Sequence, residues 1–121
     1  METTKSIGNK GEKIAEKYLK GKGYEIIDKN YTTDVGEIDI ICAHDGYLVF
    51  VEVKCRLNDN HGYASDAVNY HKRKKINQVA SQYIARQKMF AYPVRFDVVE
   101  VYTQEERVVH IENAFDSFLR Y

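Results

Sequence analysis

The chain has little of what breaks, staples or anchors a fold. One proline and seven glycines among 121 residues leave no room for a Pro/Gly-rich linker, so a single domain over residues 1–121 is expected. Two cysteines, Cys42 and Cys55, make neither a disulfide framework nor a zinc motif. No apolar run approaches the length of a bilayer span. The polar start Met1-Glu2-Thr3-Thr4-Lys5 leads into no apolar stretch of the kind a secretory signal needs. A cytoplasmic protein with no membrane partner is therefore the expectation. There is no internal repeat and no Gly-x-Ser-x-Gly nucleophile elbow. The histidines His44, His61, His71 and His110 lack paired ligand spacing, and most are expected at the surface. Net charge is zero, unlike a strongly basic nucleic-acid binder.

The charge is unevenly placed. Residues 31–60 hold six acids (Asp34, Glu37, Asp39, Asp45, Glu52, Asp59) and two bases (Lys54, Arg56). Residues 61–90 hold six bases (Lys72, Arg73, Lys74, Lys75, Arg86, Lys88) and one acid, Asp66. A cation-attracting pocket beside an anion-attracting surface gives this pattern, and so do ordinary solvated faces.

Periodicity predicts an amphipathic helix from Gly8 to Lys20, with Gly11, Ile14, Ala15, Tyr18 and Leu19 on one stripe. Gly21-Lys22-Gly23 ends it. Glu12 falls at the edge of the stripe and points toward the domain. Strands are expected at Tyr24–Ile27, Glu37–Ala43, Tyr47–Lys54, Val94–Tyr102 and Val108–Ile111. A second helix is expected over Asn69–Gln87, and a terminal helical turn or two over Ala114–Leu119. The order α-β-β-β-α-β-β-α implies an α/β fold, a mixed sheet flanked by helices.

Asp45-Gly46 suits the centre of a two-residue type I′ hairpin turn, where both positions need positive φ. Counting back from it, Ile41 faces Phe50, Ile40 faces Val51, Asp39 faces Glu52 and Glu37 faces Lys54. Alternation then puts Glu37, Asp39, Glu52 and Lys54 on one face, continued by Ile41, Leu48 and Phe50. Ile38, Ile40, Cys42, Val49, Val51 and Val53 fall on the other. Opposed like charges are destabilising and call for a shared proton or a hard cation. Mg²⁺ is typically held by one or two carboxylates and keeps several waters. With Lys54 stabilising phosphate charge or placing the attacking water, the set suits phosphodiester hydrolysis. A structural ion-pair cluster, with Glu37 bridging Lys54, accounts for the same residues equally well.

Asp39 followed by Glu52-Val53-Lys54 on a hairpin resembles the PD-(D/E)xK nuclease signature, with Ile38 and Val53 flanking the acids and no proline. Glu12 on a leading helix is similar to the arrangement in archaeal Holliday-junction resolvases. Over Gly8–Phe115 the chain resembles the YraN-like family of predicted endonucleases. The likeness includes Gly8-Asn9-Lys10-Gly11-Glu12, Asn30-Tyr31, Gly36-Glu37-Ile38-Asp39 and Phe50-Val51-Glu52-Val53-Lys54-Cys55-Arg56. It continues through Lys72, Arg95-Phe96-Asp97-Val98 and Asn113-Ala114-Phe115. The resemblance implies a restriction-endonuclease-like fold, with Asp39 and Glu52 as ligands of Mg²⁺ (or Mn²⁺). It also implies Lys54 as catalytic lysine and Glu12 as an additional acidic group.

For DNA contacts, Arg56 is the leading phosphate-binding candidate. Lys72, Arg73 and Lys75 in the Lys72-Arg73-Lys74-Lys75 run suit backbone phosphates or a solvated helix face. The loop with His61, Gly62 and Tyr63 suits a cover over the site or a wedge into DNA, though loops usually only connect. Asp97 is expected to pair with Arg95 or the first helix. Two functions follow. One is a metal-dependent DNA endonuclease, with branched DNA as a candidate substrate and a homodimer as a way to make two cuts. The other is a non-catalytic nucleic-acid-binding or protein-interaction module on the same fold.

Overall fold

The computed structural model describes residues 4–56 and 69–119. Seven elements follow one another: α1 (Thr4–Gly21), β1 (Glu25–Thr32), β2 (Glu37–His44), β3 (Tyr47–Arg56), α2 (Tyr70–Gln87), β4 (Val94–Tyr102) and β5 (Arg107–Ile111). The strands form one sheet in the order β1-β2-β3-β4-β5. All neighbours are antiparallel except β3 and β4. A parallel pair needs a long crossover, and α2 lies in that crossover. The result is a mixed α/β, restriction-endonuclease-like architecture.

Each sheet face is covered by its own cluster. Ile38, Ile41, Leu48, Phe50, Phe96 and Val98 pack with Ile76, Val79, Ala80, Tyr83 and Ile84 of α2. Ile40, Cys42, Val49, Val51, Val53, Val99 and Val101 pack with Ala15 and Leu19 of α1. Strands β3 and β4 are therefore buried on both sides, as parallel neighbours usually are.

The ends of the helices follow from local chemistry. Gly23 adopts φ +90° after α1, and the Tyr24 amide reaches back to the Leu19 carbonyl at 3.0 Å, satisfying an otherwise orphaned acceptor. Asn69 caps α2 by accepting from the Lys72 amide at 3.0 Å. The hairpin turn has φ +51° at Asp45 and +80° at Gly46, both positive as a type I′ turn requires.

Two expectations are corrected. Ala114–Leu119 forms no helix. Asn113 takes φ +51°, the Ala114 amide donates to the Phe96 carbonyl at 2.7 Å, and Phe115 enters the core. Asn77 of α2 then holds the segment, donating to the Asp116 carbonyl and accepting from the Phe118 amide at 2.8 Å. Tertiary bonds thus take the backbone groups that a helix would use. Second, Ile38 packs under α2 with Ile41, while Ile40 packs under α1. Alternation breaks at Asp39, across from Asn30, whose φ is +51°.

Candidate functional site

The β2–β3 register runs from His44↔Tyr47 to Ile40↔Val51, and its regular pairing ends there. The Asp39 carboxylate, rather than a backbone carbonyl, accepts the next amide, that of Val53, at 2.8 Å. The expected ladder pairs Asp39/Glu52 and Glu37/Lys54 are accordingly absent. The hairpin opens where its acids begin, and Asp39 turns into the opening.

The carboxylates still gather. Burial, then the charge of Glu52, pushes the Asp39 carboxyl up to about 7; Glu12 and Glu37 add to the rise, and the Val53 hydrogen bond opposes it. Glu12 is also raised, by burial and then by Glu37 and Glu52. Glu12 and Asp39 line one cavity of about 240 Å³ with Lys29 and Asn30. Glu12 is placed by its neighbour. A Cβ on Gly11 would lie 2.1 Å from Cys55 Sγ, so α1 touches β3 at a helical position with no side chain.

Two lysines meet this acidic group. Lys72 Nζ lies 2.5 Å from Glu52 Oε1, with the Glu52 side chain only 8% exposed. Burial acts to lower Lys72, but its bond to Glu52 leaves it raised. Lys54 is lowered, by burial first and then by the neighbouring Lys72 ammonium. Among the charges acting most on Lys54 are Lys72, Glu52 and Asp39, whereas Glu37 acts on Glu12 and Asp39. Glu37 thus adds to the negative field on Glu12 and Asp39.

Two of the other basic candidates, Arg56 and Arg73, are engaged inside the chain. Arg56 Nε lies 3.2 Å from Glu100 Oε1, and Glu100, which registers with Lys54, is fully buried. Tyr102 donates its hydroxyl proton to the same carboxylate. The Arg73 guanidinium sits 5.6 Å over the Phe115 ring. Lys74 and Lys75 are exposed. The His61, Gly62 and Tyr63 expectation lies outside the described residues.

A second polar network lies on the α1 side. Asp97, fully buried, accepts from Arg95 Nε at 2.9 Å and from the Asn113 amide at 3.0 Å, and lies 2.7 Å from His110 Nε2. Burial works to raise Asp97, but His110 and Arg95 outweigh it and hold the carboxyl low. His110 Nδ1 is 3.2 Å from the Tyr18 hydroxyl, which ties α1 to the sheet edge. The expectation that Asp97 pairs with Arg95 holds, while a surface His110 does not: its side chain is 6% exposed. His44 is half-buried and stacks on Tyr24 at 3.8 Å.

Sequence reasoning missed Glu100, His110 and the seating of Gly11, and it placed Lys72 among phosphate contacts rather than on Glu52. Only the glycine left a local trace, since a glycine inside a helix costs stability unless close packing needs it.

Among the described residues no three His, Cys, Asp or Glu side chains converge as a cage for a metal ion. Mg²⁺ demands less, since one or two carboxylates suffice when water completes its shell. Asp39 and Glu52 supply hard oxygen donors whose mutual repulsion a cation would relieve. That donor set fits Mg²⁺ or Mn²⁺ and is wrong for a soft metal. No helix among the described residues is long and apolar enough to cross a membrane.

Comparison with known proteins agrees on one family. Residues 11–101 match the model of the uncharacterised protein family UPF0102. A UPF0102 protein of Clostridioides difficile is 50% identical over 111 residues, 92% of this chain and 97% of that one. Another, from Caldanaerobacter subterraneus subsp. tengcongensis, is 46% identical over 116 residues, 92% of this chain and 95% of its own. A third, from Thermodesulfovibrio yellowstonii, is 46% identical over 109 residues, covering 90% and 95%. With matches spanning nearly all of each partner, the chain belongs to the UPF0102 family.

Proposed function

We propose that the protein is a Mg²⁺-dependent endonuclease that hydrolyses DNA phosphodiester bonds, with branched or flapped DNA as the preferred substrate. The observation that carries this reading is the pair of carboxylates, half-buried Asp39 and buried Glu52, with two lysines beside them. Buried like charges are costly, and a purely structural role has no use for them at the open end of a hairpin.

Asp39 and Glu52 would hold the cation, which supplies a polarised water and charge neutralisation at the phosphate. The Val53 amide fixes the orientation of Asp39. Lys54 shares the site with Lys72. It would donate to a phosphate oxygen or orient the attacking water, where preorganised positive charge has most effect on the transition state. Glu12 would hold a water from the α1 side.

The alternative is a non-catalytic nucleic-acid-binding module. The Lys72–Glu52 pair favours it, because a carboxylate already neutralised from within needs no cation. Incubation with linear, flapped and four-way-junction DNA, with and without Mg²⁺ or Mn²⁺, decides between the two. Metal-dependent cutting that disappears in Lys54→Ala and Glu52→Ala supports the nuclease. Cutting that persists in both variants points to a contaminant. Absence of cutting on every substrate, with metal-independent binding, supports the module.

A further inference from the structure

A cavity of about 610 Å³ runs along the flank of α2, outside the acidic site. Tyr70, Lys74, Gln78 and Gln82 follow one another along its helical wall. Four-residue steps keep them on one face, with an axial rise of about 6 Å between each. Phe118 of the C-terminal segment and Val35 of the β1–β2 turn add to the lining.

The lining has a specific chemical character. Tyr70 is 67% exposed and Phe118 45% exposed, so both offer ring faces to solvent. Between them lie carboxamides rather than the aliphatic side chains that a docked helix would want. Gln78 is exposed on this wall, and its carboxamide carries both donors and an acceptor. The helix itself carries Lys72, Arg73, Lys74, Lys75 and Arg86 and no acidic residue, which favours a polyanion.

Rings, an exposed amide edge and the Lys74 ammonium together match a nucleobase and its phosphate. Unpaired bases expose the π-face that aromatic side chains stack against. Bases in a duplex bury that face and present only their edges in the grooves. We propose that this trough binds an unpaired stretch of polynucleotide, with bases against Tyr70 and Phe118, a base edge at Gln78 and the backbone at Lys74. It rests on the nuclease reading in one respect. Lys72, in the first turn of α2, reaches Glu52, and Tyr70 lines the trough in that same turn, so the Tyr70 end of the trough is the end nearer the acidic site. The substrate would then be DNA at a junction between paired and unpaired segments.

The test is fluorescence anisotropy in EDTA on the full chain, with labelled single strands of about 20 nucleotides, as DNA and as RNA, and the matching DNA duplex. The Tyr70→Ala/Phe118→Ala variant is expected to lose at least tenfold, about 1.4 kcal/mol, for a single strand of either sugar. Its duplex affinity should stay within about twofold of the unmodified protein. Tyr70→Phe keeps the ring and should bind as the unmodified protein does. Circular dichroism confirms that both exposed positions tolerate change.

Three results would overturn the proposal: unchanged single-strand binding by the double variant, an equal loss for duplex, or displacement by polyglutamate as effective as by a single strand. Because the assay contains no metal, it separates the two readings. Trough-dependent binding without cleavage in the earlier assay removes the nuclease and leaves the trough. Cleavage with no effect of Tyr70 and Phe118 removes the trough alone.

Discussion

Lys72 Nζ and Glu52 Oε1 are 2.5 Å apart, and the pair joins α2 to β3 at the end of the hairpin. Glu52 is nearly buried while Lys72 is 38% exposed, so the two partners stand to lose unequally if the pair is broken. Lys72→Met should leave Glu52 buried and unpaired. In EDTA this should cost about 1–2 kcal/mol, less than a fully buried pair because solvent reaches Lys72. Chemical denaturation measures it, and Lys72→Met/Glu52→Gln should recover much of the loss, since neither charge then remains alone. Added Mn²⁺ should stabilise Lys72→Met more than the unmodified protein, because ammonium and cation compete for one carboxylate.

Asp39 is a place where stability is given up. Its folded carboxyl titrates near 7 against an ordinary value of 3.8. Between these values the folded chain keeps a proton that the unfolded chain has released. The contribution of this group to stability therefore falls as pH rises from about 4 to about 7. Asp39→Asn keeps an acceptor for the Val53 amide and removes the charge. In EDTA at pH 8 it should be more stable than the unmodified protein, on the order of 1–3 kcal/mol, with the difference shrinking toward pH 4. Thermal melts across pH check the sign.

Asp97 behaves oppositely. His110 and Arg95 overcome the burial penalty and hold it low, so its contribution is complete above the ordinary aspartate range. That contribution is lost as pH falls through the depressed folded value. Asp97→Asn should flatten this acid limb and cost about 3 kcal/mol at neutral pH, because Arg95 is left buried without its partner.

Gly11→Ala should destabilise even though alanine is the better helix former by up to about 1 kcal/mol. The new Cβ would lie 2.1 Å from Cys55 Sγ, and overpacking of this kind costs about 1–3 kcal/mol. Cys55→Ala in the same chain should return part of that loss, since the sulfur is the closest atom but Cys55 Cβ, at 3.0 Å, remains.

What the sequence disclosed was local. The Asp45-Gly46 turn, the stripe of α1 and the β2–β3 register as far as Ile40↔Val51 all follow from residues close in the chain. Beyond Ile40 the register argument fails, because a side chain replaces a backbone acceptor and Asn30 on a different strand takes a left-handed conformation. Neither event leaves a trace in alternation. Lys72 on Glu52, Arg56 on Glu100 and His110 on Asp97 are likewise set by which strands and helices become neighbours. The terminal segment was misread because Ala114–Leu119 has helical composition, while Asn77 and Phe96, far away in the chain, claim its backbone groups.

The parallel pairing of β3 with β4 bears on the order in which the molecule assembles. The β2–β3 hairpin closes through a two-residue turn, so it can form in microseconds. The β3–β4 contacts must wait until the whole α2 crossover is in place, and such non-local contacts form slowly. The acids of the hairpin are thus brought together early, while Lys72 on α2 arrives with the crossover. During that interval Lys54 is the lysine beside Asp39 and Glu52, and Glu52 lacks its Lys72 partner. A divalent cation present during refolding should therefore act on the stage before the crossover docks, while Glu52 is still without Lys72, and so on the route to the fold as well as on the finished site.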